Sequence, residues 1–431
     1  MVKCLENEGV SVVFGIPGEE NIRFIQALAA SDIRYILTRH EQGAAFMAEM
    51  YGRVTGRAGV VSATLGPGAI NLQLGVADAS TNSTPLVAIA AQVGQDRAYK
   101  ESHQYVDLVA MFRPITRWAD GVPTARAIPE MFRKAFKLAE TERPAAVFLA
   151  VPENIDADGA NYELNPLPRN VVHAEAPMAG QVQRAVDILR RAHRPVLLAG
   201  HGAARGGATA ALIRFSEELG VPVANTFHGK GAMPDDHPNS MGTVGFMRRD
   251  YANFGFEHAD VIVAVGYELQ EFDPVRINPH GDKQIIHLHR FPAEVDAHYS
   301  VSVGIIGDIS ASVNALTEAL GGHRFDCAAA PGSALLAEEF TRGQQDSRFP
   351  MAPRSGSWPT SGQRWAAATS CLSIPVPPRC GWRVFTRPMS PIPALSLMGC
   401  PPWVSHCPEH WASSWPAPIR RCWPSPAMAP S

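Results

Sequence analysis

Glu41 is the side chain of this sequence best placed to handle a proton. An apolar run, Ile33 to Leu37, leads through Thr38, Arg39 and His40 into Glu41 and then into the small-residue stretch Gln42-Gly43-Ala44-Ala45-Phe46-Met47-Ala48. That pattern predicts a buried strand passing into a helix, with Glu41 at the junction. A carboxylate at the carboxyl end of a parallel strand lies where open α/β sheets bind ligands. First turns of helices are also rich in acids, because a carboxylate complements the helix dipole. The stretch alone is satisfied by either role. Two glycine corners, Gly15-Ile16-Pro17-Gly18 and Gly66-Pro67-Gly68, each follow an apolar run. Glycine lets backbone approach a ligand closely, although tight turns use it as well. Together with Glu41, these corners gather ligand-type features on one edge of a sheet.

The elements that would position them alternate. Strands are expected at Val10–Phe14, Ile33–Leu37, Gly59–Thr64, Pro85–Ala91 and Ala145–Val151. Helices are expected at Glu20–Ala30, Gln42–Thr55, Ala69–Ser80 and Ile128–Ala139. Alternation of this kind implies an α/β fold with a parallel sheet covered on both faces, and the continuously apolar strands suit burial on both sides. A Pro- and Asn-containing stretch, 161–177, reads as a linker. A second α/β unit follows, with strands at Pro195–Ala199, Val261–Val265, Gln284–His289 and Val303–Ile306. The expectation is two doubly wound parallel-sheet domains, 1–160 and 178–325, then a second linker, 326–353. The glycine loop Gly200-His201-Gly202-Ala203-Ala204-Arg205-Gly206-Gly207 opens a helix and can receive a dinucleotide phosphate. It lacks a clean G-x-G-x-x-G. His201 and His289 are expected to be surface or satisfied core histidines rather than ligands.

A net charge of -3 over 431 residues gives no reason to expect nucleic acid or an anionic membrane as a partner. No apolar run has the length of a membrane span, and Met1 to Glu6 reads as an amphipathic helix rather than a secretory signal. The cytoplasm is the expected location. Cys4 and Cys327 precede residue 354, whereas Cys371, Cys380, Cys400, Cys407 and Cys422 follow it without metal-ligand spacing.

As a set and in their order, several motifs resemble the acetolactate synthase group of thiamine-diphosphate enzymes. They are Phe14-Gly15-Ile16-Pro17-Gly18, Arg39-His40-Glu41-Gln42-Gly43-Ala44-Ala45, Gly66-Pro67-Gly68-Ala69-Ile70-Asn71 and His103-Gln104 with Phe112-Arg113-Pro114. Farther on come Gly266-Tyr267-Glu268, Glu271-Phe272-Asp273-Pro274 and Ile306-Gly307-Asp308. The resemblance implies a pyrimidine-side domain followed by a middle domain. It implies that Glu41 is catalytic, its carboxylate hydrogen-bonded to the ring nitrogen of the cofactor's aminopyrimidine and acting as general acid/base. Gly66, Pro67 and Asn71 match the loop enclosing that ring, and they also suit a tight turn with a helix cap. Gln104 matches a glutamine near the substrate. As a buried amide it would donate to a developing oxyanion; an exposed loop glutamine is the alternative. Stretch 268–274 looks like the catabolic, flavin-independent type, so the middle domain is expected to be a flavin-type fold without FAD. The implied chemistry joins two pyruvates with loss of one carbon dioxide, in a homodimer or homotetramer. Another 2-oxo acid substrate, or a non-catalytic remnant, are the alternatives.

The pattern breaks near Pro353. Seven of the eight tryptophans lie beyond it, Glu409 is the one acid there, and Lys, Tyr and Asn are absent. Disordered tails are poor in Trp and Cys, so an out-of-frame reading of GC-rich DNA explains the mixture better. Reading the third base of each codon with the first two of the next forces glycine at Trp403/Val404, at Trp411/Ala412 and at Met428/Ala429. It forces leucine at Cys422/Trp423 and alanine at Trp423/Pro424. These forced positions fit the diphosphate-binding third domain of the same group, and with the free positions filled from allowed codons the stretch can also read that domain's G-D-G. Residues 354–431 are thus expected to be a disordered or non-native remnant of that domain. In the group, the Asp of G-D-G and a later Asn hold Mg²⁺, which needs oxygen ligands; this chain is expected to lack them, and no residue after 353 is a candidate ligand.

Overall fold

The structure, a computed structural model, describes residues 1–158, 165–169, 175–245 and 251–327. The expectations for 354–431 and for nearly all of 326–353 lie outside those residues, as does much of 161–177.

The first sheet contains β1 (Val12–Gly15), β2 (Arg34–Leu37), β3 (Gly59–Ala63), β4 (Leu86–Gln92), β5 (Trp118–Gly121) and β6 (Ala146–Pro152). They run in the order β2-β1-β3-β4-β6-β5, and every pairing is parallel. The helices are α1 (Val2–Asn7), α2 (Ile22–Ala29), α3 (Glu41–Thr55), α4 (Pro67–Thr81), α5 (Leu108–Phe112), α6 (Ile128–Glu140) and α7 (Glu153–Asp158). Successive strand residues point to opposite faces, so each strand feeds two cores. Val60, Val87, Ile89, Val147 and Leu149 pack with Phe24, Leu28, Phe132 and Phe136 on one face. Val61, Ala63, Ala88 and Phe148 pack with Ala44, Ala45, Ala48 and Leu72 on the other. This explains why β3, β4 and β6 are buried at every position.

The second sheet contains β7 (Pro195–Ala199), β8 (Val223–Thr226), β9 (Ser240–Val244), β10 (Val261–Val265), β11 (Gln284–His289) and β12 (Val301–Ile306). Its order is β12-β11-β10-β7-β8-β9, again parallel throughout. Helices α8 (Ala179–Leu189), α9 (His201–Arg205), α10 (Thr209–Leu219), α11 (Tyr251–His258) and α12 (Ile309–Ala319) accompany it. The expected fold of two doubly wound α/β sheets is therefore what the described residues form. Strands β5, β8 and β9 are additions to the expected set.

The strand order reverses between β1 and β3 in the first sheet, where β6 also returns to lie between β4 and β5, and between β7 and β10 in the second. Crevices at such points, outside the carboxyl ends of the strands, are where this architecture binds ligands. Among the described residues, no helix is long and apolar enough to cross a membrane.

Candidate active site

The β1/β3 crevice is bordered by the two glycine corners. After β1, the Asn21 carboxamide accepts from Gly18 N at 2.7 Å, which fixes the turn. A Cβ on Gly18 would lie 2.4 Å from the Thr64 Cβ, so the bare backbone of the corner after β1 seats against the Thr64 side chain that follows β3. Thr64 in turn donates to Glu20 at 2.5 Å. After β3, Gly66 takes φ 51°, a conformation that L side chains rarely adopt, and caps α4 with Pro67 at its first position.

Glu41 opens α3, whose N-cap His40 accepts from Gln42 N at 3.1 Å, and Gly56 closes the helix with φ 68°. The Glu41 carboxylate is half-buried. Asn71 Nδ2, one turn into α4, donates to its Oε2 at 2.9 Å. The other oxygen faces Gly68, where a Cβ would stand 3.5 Å away. Helices α3 and α4 approach almost backbone to backbone, because a Cβ on Gly75 would lie 2.6 Å from Ala45 Cβ. The pair that carries Glu41 and Asn71 is thereby packed as one unit.

Gln104 is exposed, in the left-handed region at φ 56°. Its backbone meets Gly66, on which a Cβ would fall 2.4 Å from the Gln104 carbonyl oxygen. Glu41, Gly66, Pro67, Asn71 and the Gln104 backbone thus meet at one sheet edge. A cleft of about 510 Å³ adjoins them, lined by His40, Gln42, Asn71, Leu74, Met111 and Ile115 among others. One neighbour escaped the reading of the sequence. The Tyr35 hydroxyl lies over Gly15, 2.7 Å from where a Cβ would be, buried and without a hydrogen-bond partner among the described residues. Burial, and to a lesser degree the Glu41 charge, holds its pKa above the usual tyrosine range. No single-residue signal marked it.

The second crevice is closed by the chain itself. Gly202 N donates to Gly266 O at 2.8 Å across the switch point. Glu271 accepts from His201 N at 3.1 Å and from Glu268 N at 2.9 Å, and Thr226 donates to its other oxygen. The glycine loop therefore carries an internal carboxylate at the position where a phosphate would meet the start of α9. His201 and His289 are buried, 5% and 0% exposed, rather than on the surface. Nor are they satisfied, since each leaves Nε2 unpartnered. The reason is that His289 Nδ1 accepts from Arg290 N at 2.9 Å, while its Nε2 stands 3.7 Å from Glu268 Oε1, beyond hydrogen-bonding range.

Burial pushes the Glu271 carboxyl up to about 8 and the His228 and His287 imidazoles down to about 4, and holds His201 and His289 well below their usual value. A raised acid contributes stability that is present at low pH and lost as pH rises through 8. A depressed histidine contributes stability that is lost as pH falls below about 6.5. Thermal unfolding is expected to shift upward as pH drops from 8 to 6.5, by about 2 kcal/mol of stability at one proton per pH unit. E271Q is expected to lose that limb while keeping the decline below 6.5, and an unchanged limb in E271Q would remove Glu271 as its source.

Residues 1–111 match the family described as thiamine pyrophosphate enzyme, N-terminal TPP binding domain, and residues 182–316 match its central domain. A probable acetolactate synthase large subunit of Methanocaldococcus jannaschii is 35% identical over 333 residues, 74% of this chain and 55% of the relative. An acetolactate synthase of Bacillus subtilis is 34% identical over 320 residues, 73% of this chain and 55% of the relative. A catabolic acetolactate synthase of Raoultella terrigena is 34% identical over 319 residues, 74% and 57%. The chain spans little more than half the length of each.

Proposed function

Because the chain belongs to the thiamine pyrophosphate enzymes through its N-terminal and central domains, we propose that it follows the plan of an acetolactate synthase, condensing two pyruvates with loss of one carbon dioxide. The hydrogen bond between Asn71 and Glu41 at the glycine-cornered crevice carries this reading. The residues fit the aminopyrimidine half of thiamine diphosphate: an acceptor oxygen of Glu41 faces bare backbone at Gly68, and Gly66 supplies a turn without a side chain. When bound, that cofactor supplies the electron sink that decarboxylation of a 2-oxo acid requires. Glu41 holds and returns a proton at its free carboxylate oxygen. Asn71 fixes the orientation of that carboxylate by occupying the other oxygen. Gly66 and Pro67 would shape the turn that receives the ring, and Gln104, exposed on the loop that meets Gly66, would serve the substrate. Ile70, Leu74 and Met111 give the adjoining cleft an apolar part to its lining.

The central domain is read as working without FAD, since Glu271 already takes the His201 N–H at the start of α9 and Gly202 N is spent on Gly266 O. The intact assembly is read as a cytoplasmic homodimer or homotetramer, with Mg²⁺ and the diphosphate held by a third domain. The composition after residue 353 supports a second statement, that this particular chain is inactive through a single-base shift near codons 353–356. Product analysis tests the first statement: a protein with that frame restored should form acetolactate from pyruvate, and its absence rejects the substrate. Calorimetry tests the second: the chain as it stands should show no tight, Mg²⁺-dependent binding of thiamine diphosphate, and tight binding would overturn it.

A further inference from the structure

The two helices that bring Glu41 and Asn71 together are also gripped at their opposite ends, by buried polar side chains of both domains. Ser83, two residues past the end of α4, is fully buried and held at φ 51°. Its hydroxyl meets the Glu268 carboxylate of the central domain. Arg143 Nε donates to Ser83 Oγ at 2.7 Å and to Glu268 at 3.1 Å, and Gln270 donates to both, at 3.1 and 2.9 Å. One residue farther on, Thr84 donates at 3.4 Å to Glu49, which lies two turns along α3 from Glu41 and is paired with Arg53. Arg53 points towards the central domain, where its charge lowers the pKa of His201 and His228. Glu268 itself is 2% exposed, and its backbone N–H is tied to Glu271.

A non-glycine residue in the left-handed region is strained and persists only where surrounding contacts impose it. At Ser83 those contacts come from Glu268, Gln270 and Arg143. The chain of rigid links then runs from Glu268 through Ser83 and along α4 to Asn71, and through the Gly75–Ala45 seam to α3 and Glu41.

We propose that Glu268 is a positioning residue for the Glu41–Asn71 pair, setting the seat of α4 through its contact with Ser83. This rests on Glu41 being the functional carboxylate. Without it the link would be a domain contact only.

Hydrogen–deuterium exchange on the full chain tests the proposal without any cofactor. E268A is expected to speed exchange of the amides between 66 and 84 and at the start of α3 at least tenfold. E268Q, which keeps an acceptor for Ser83, should restore them to within about threefold. L316A removes a fully buried side chain from the central core, and should speed exchange in the second sheet without singling out α4. S83G covers the case in which E268A does not fold, because glycine adopts φ 51° without strain. It should show the same loss of protection at 66–81. Unchanged protection of α4 in E268A or S83G, or equal acceleration by L316A, overturns the proposal. Failure of acetolactate formation in the frame-restored protein would strike the functional reading instead and leave these exchange rates as they are.

Discussion

Glu41→Gln in a frame-restored protein should lower the rate of acetolactate formation from pyruvate by about 10²–10⁴, the usual range for losing a positioned acid/base. The substitution is chosen for what it preserves. The amide oxygen of glutamine can still accept from Asn71 Nδ2, which now sits 2.9 Å from Glu41 Oε2, so the helix pair keeps its contact. What disappears is the capacity to hold and return a proton at the oxygen facing Gly68. Substrate affinity should change little, because the loss is confined to steps in which a proton moves. A decrease below threefold, with unfolding midpoint unchanged, would remove Glu41 from the chemistry and leave it as a charge at the start of a helix.

The largest expected effect on stability falls at Gly266. It adopts φ +64°, and a Cβ there would lie 2.1 Å from Ala203 N and 2.5 Å from Gly202 C, backbone atoms that cannot swing aside. Gly266 N also donates to Leu288 O at 2.8 Å, so β10, β11 and the glycine loop all meet at this one residue. Overpacking costs about 1–3 kcal/mol and the left-handed conformation about 1–2 more. G266A should therefore lose roughly 2–5 kcal/mol, read as a lower urea midpoint by circular dichroism. G304A is the control, since among the described residues no atom beyond its own chain neighbours lies within 4 Å of where its Cβ would be, and it should unfold where the natural protein does. Equal midpoints for G266A and the natural protein would mean that the corner yields more easily than its contacts allow.

The parts of the fold that were legible are those where burial alone dictates sequence. β3, β4 and β6 lie inside a sheet covered on both sides, so their positions must be apolar or small, save Gln92 at the end of β4, whose amide bonds the Val106 and Val93 backbone, and such a run is readable without any partner. β5 and β9 sit at sheet edges, where one neighbour suffices. Their sequences, Trp118-Ala119-Asp120-Gly121 and Ser240-Met241-Gly242-Thr243-Val244, carry too little apolar character to stand out. β8 is buried throughout yet polar at its end, because Asn225 exchanges hydrogen bonds with the Met233 backbone at 3.0 and 3.1 Å. Only the tertiary structure shows that those polar groups are satisfied.

The site divides in the same way. Glu41, Gly66, Pro67 and Asn71 were nominated through motifs shared with a family, and the hydrogen bond between Glu41 and Asn71 spans 30 residues that no local pattern connects. The Ser83–Glu268 contact spans 185 residues, and neither residue announces its role by type or neighbours. The expectation for His201 and His289 holds as to the core and fails as to satisfaction, since each is buried with its Nε2 unpartnered among the described residues. Nothing near His289 in sequence reveals that the bare backbone of Gly202 packs against that nitrogen.

The order of the first sheet has a bearing on how the chain is made. β6 lies between β4 and β5 and is the last of the six to be synthesised. Until the ribosome has released residues 146–152, β4 presents an open edge that is apolar from Leu86 to Ala91, and β5 has nothing to pair with. An open apolar edge of this kind recruits other chains. Fragments ending before Pro152 are therefore the ones that need a chaperone's protection, and any dissection of this protein into parts should cut beyond that strand.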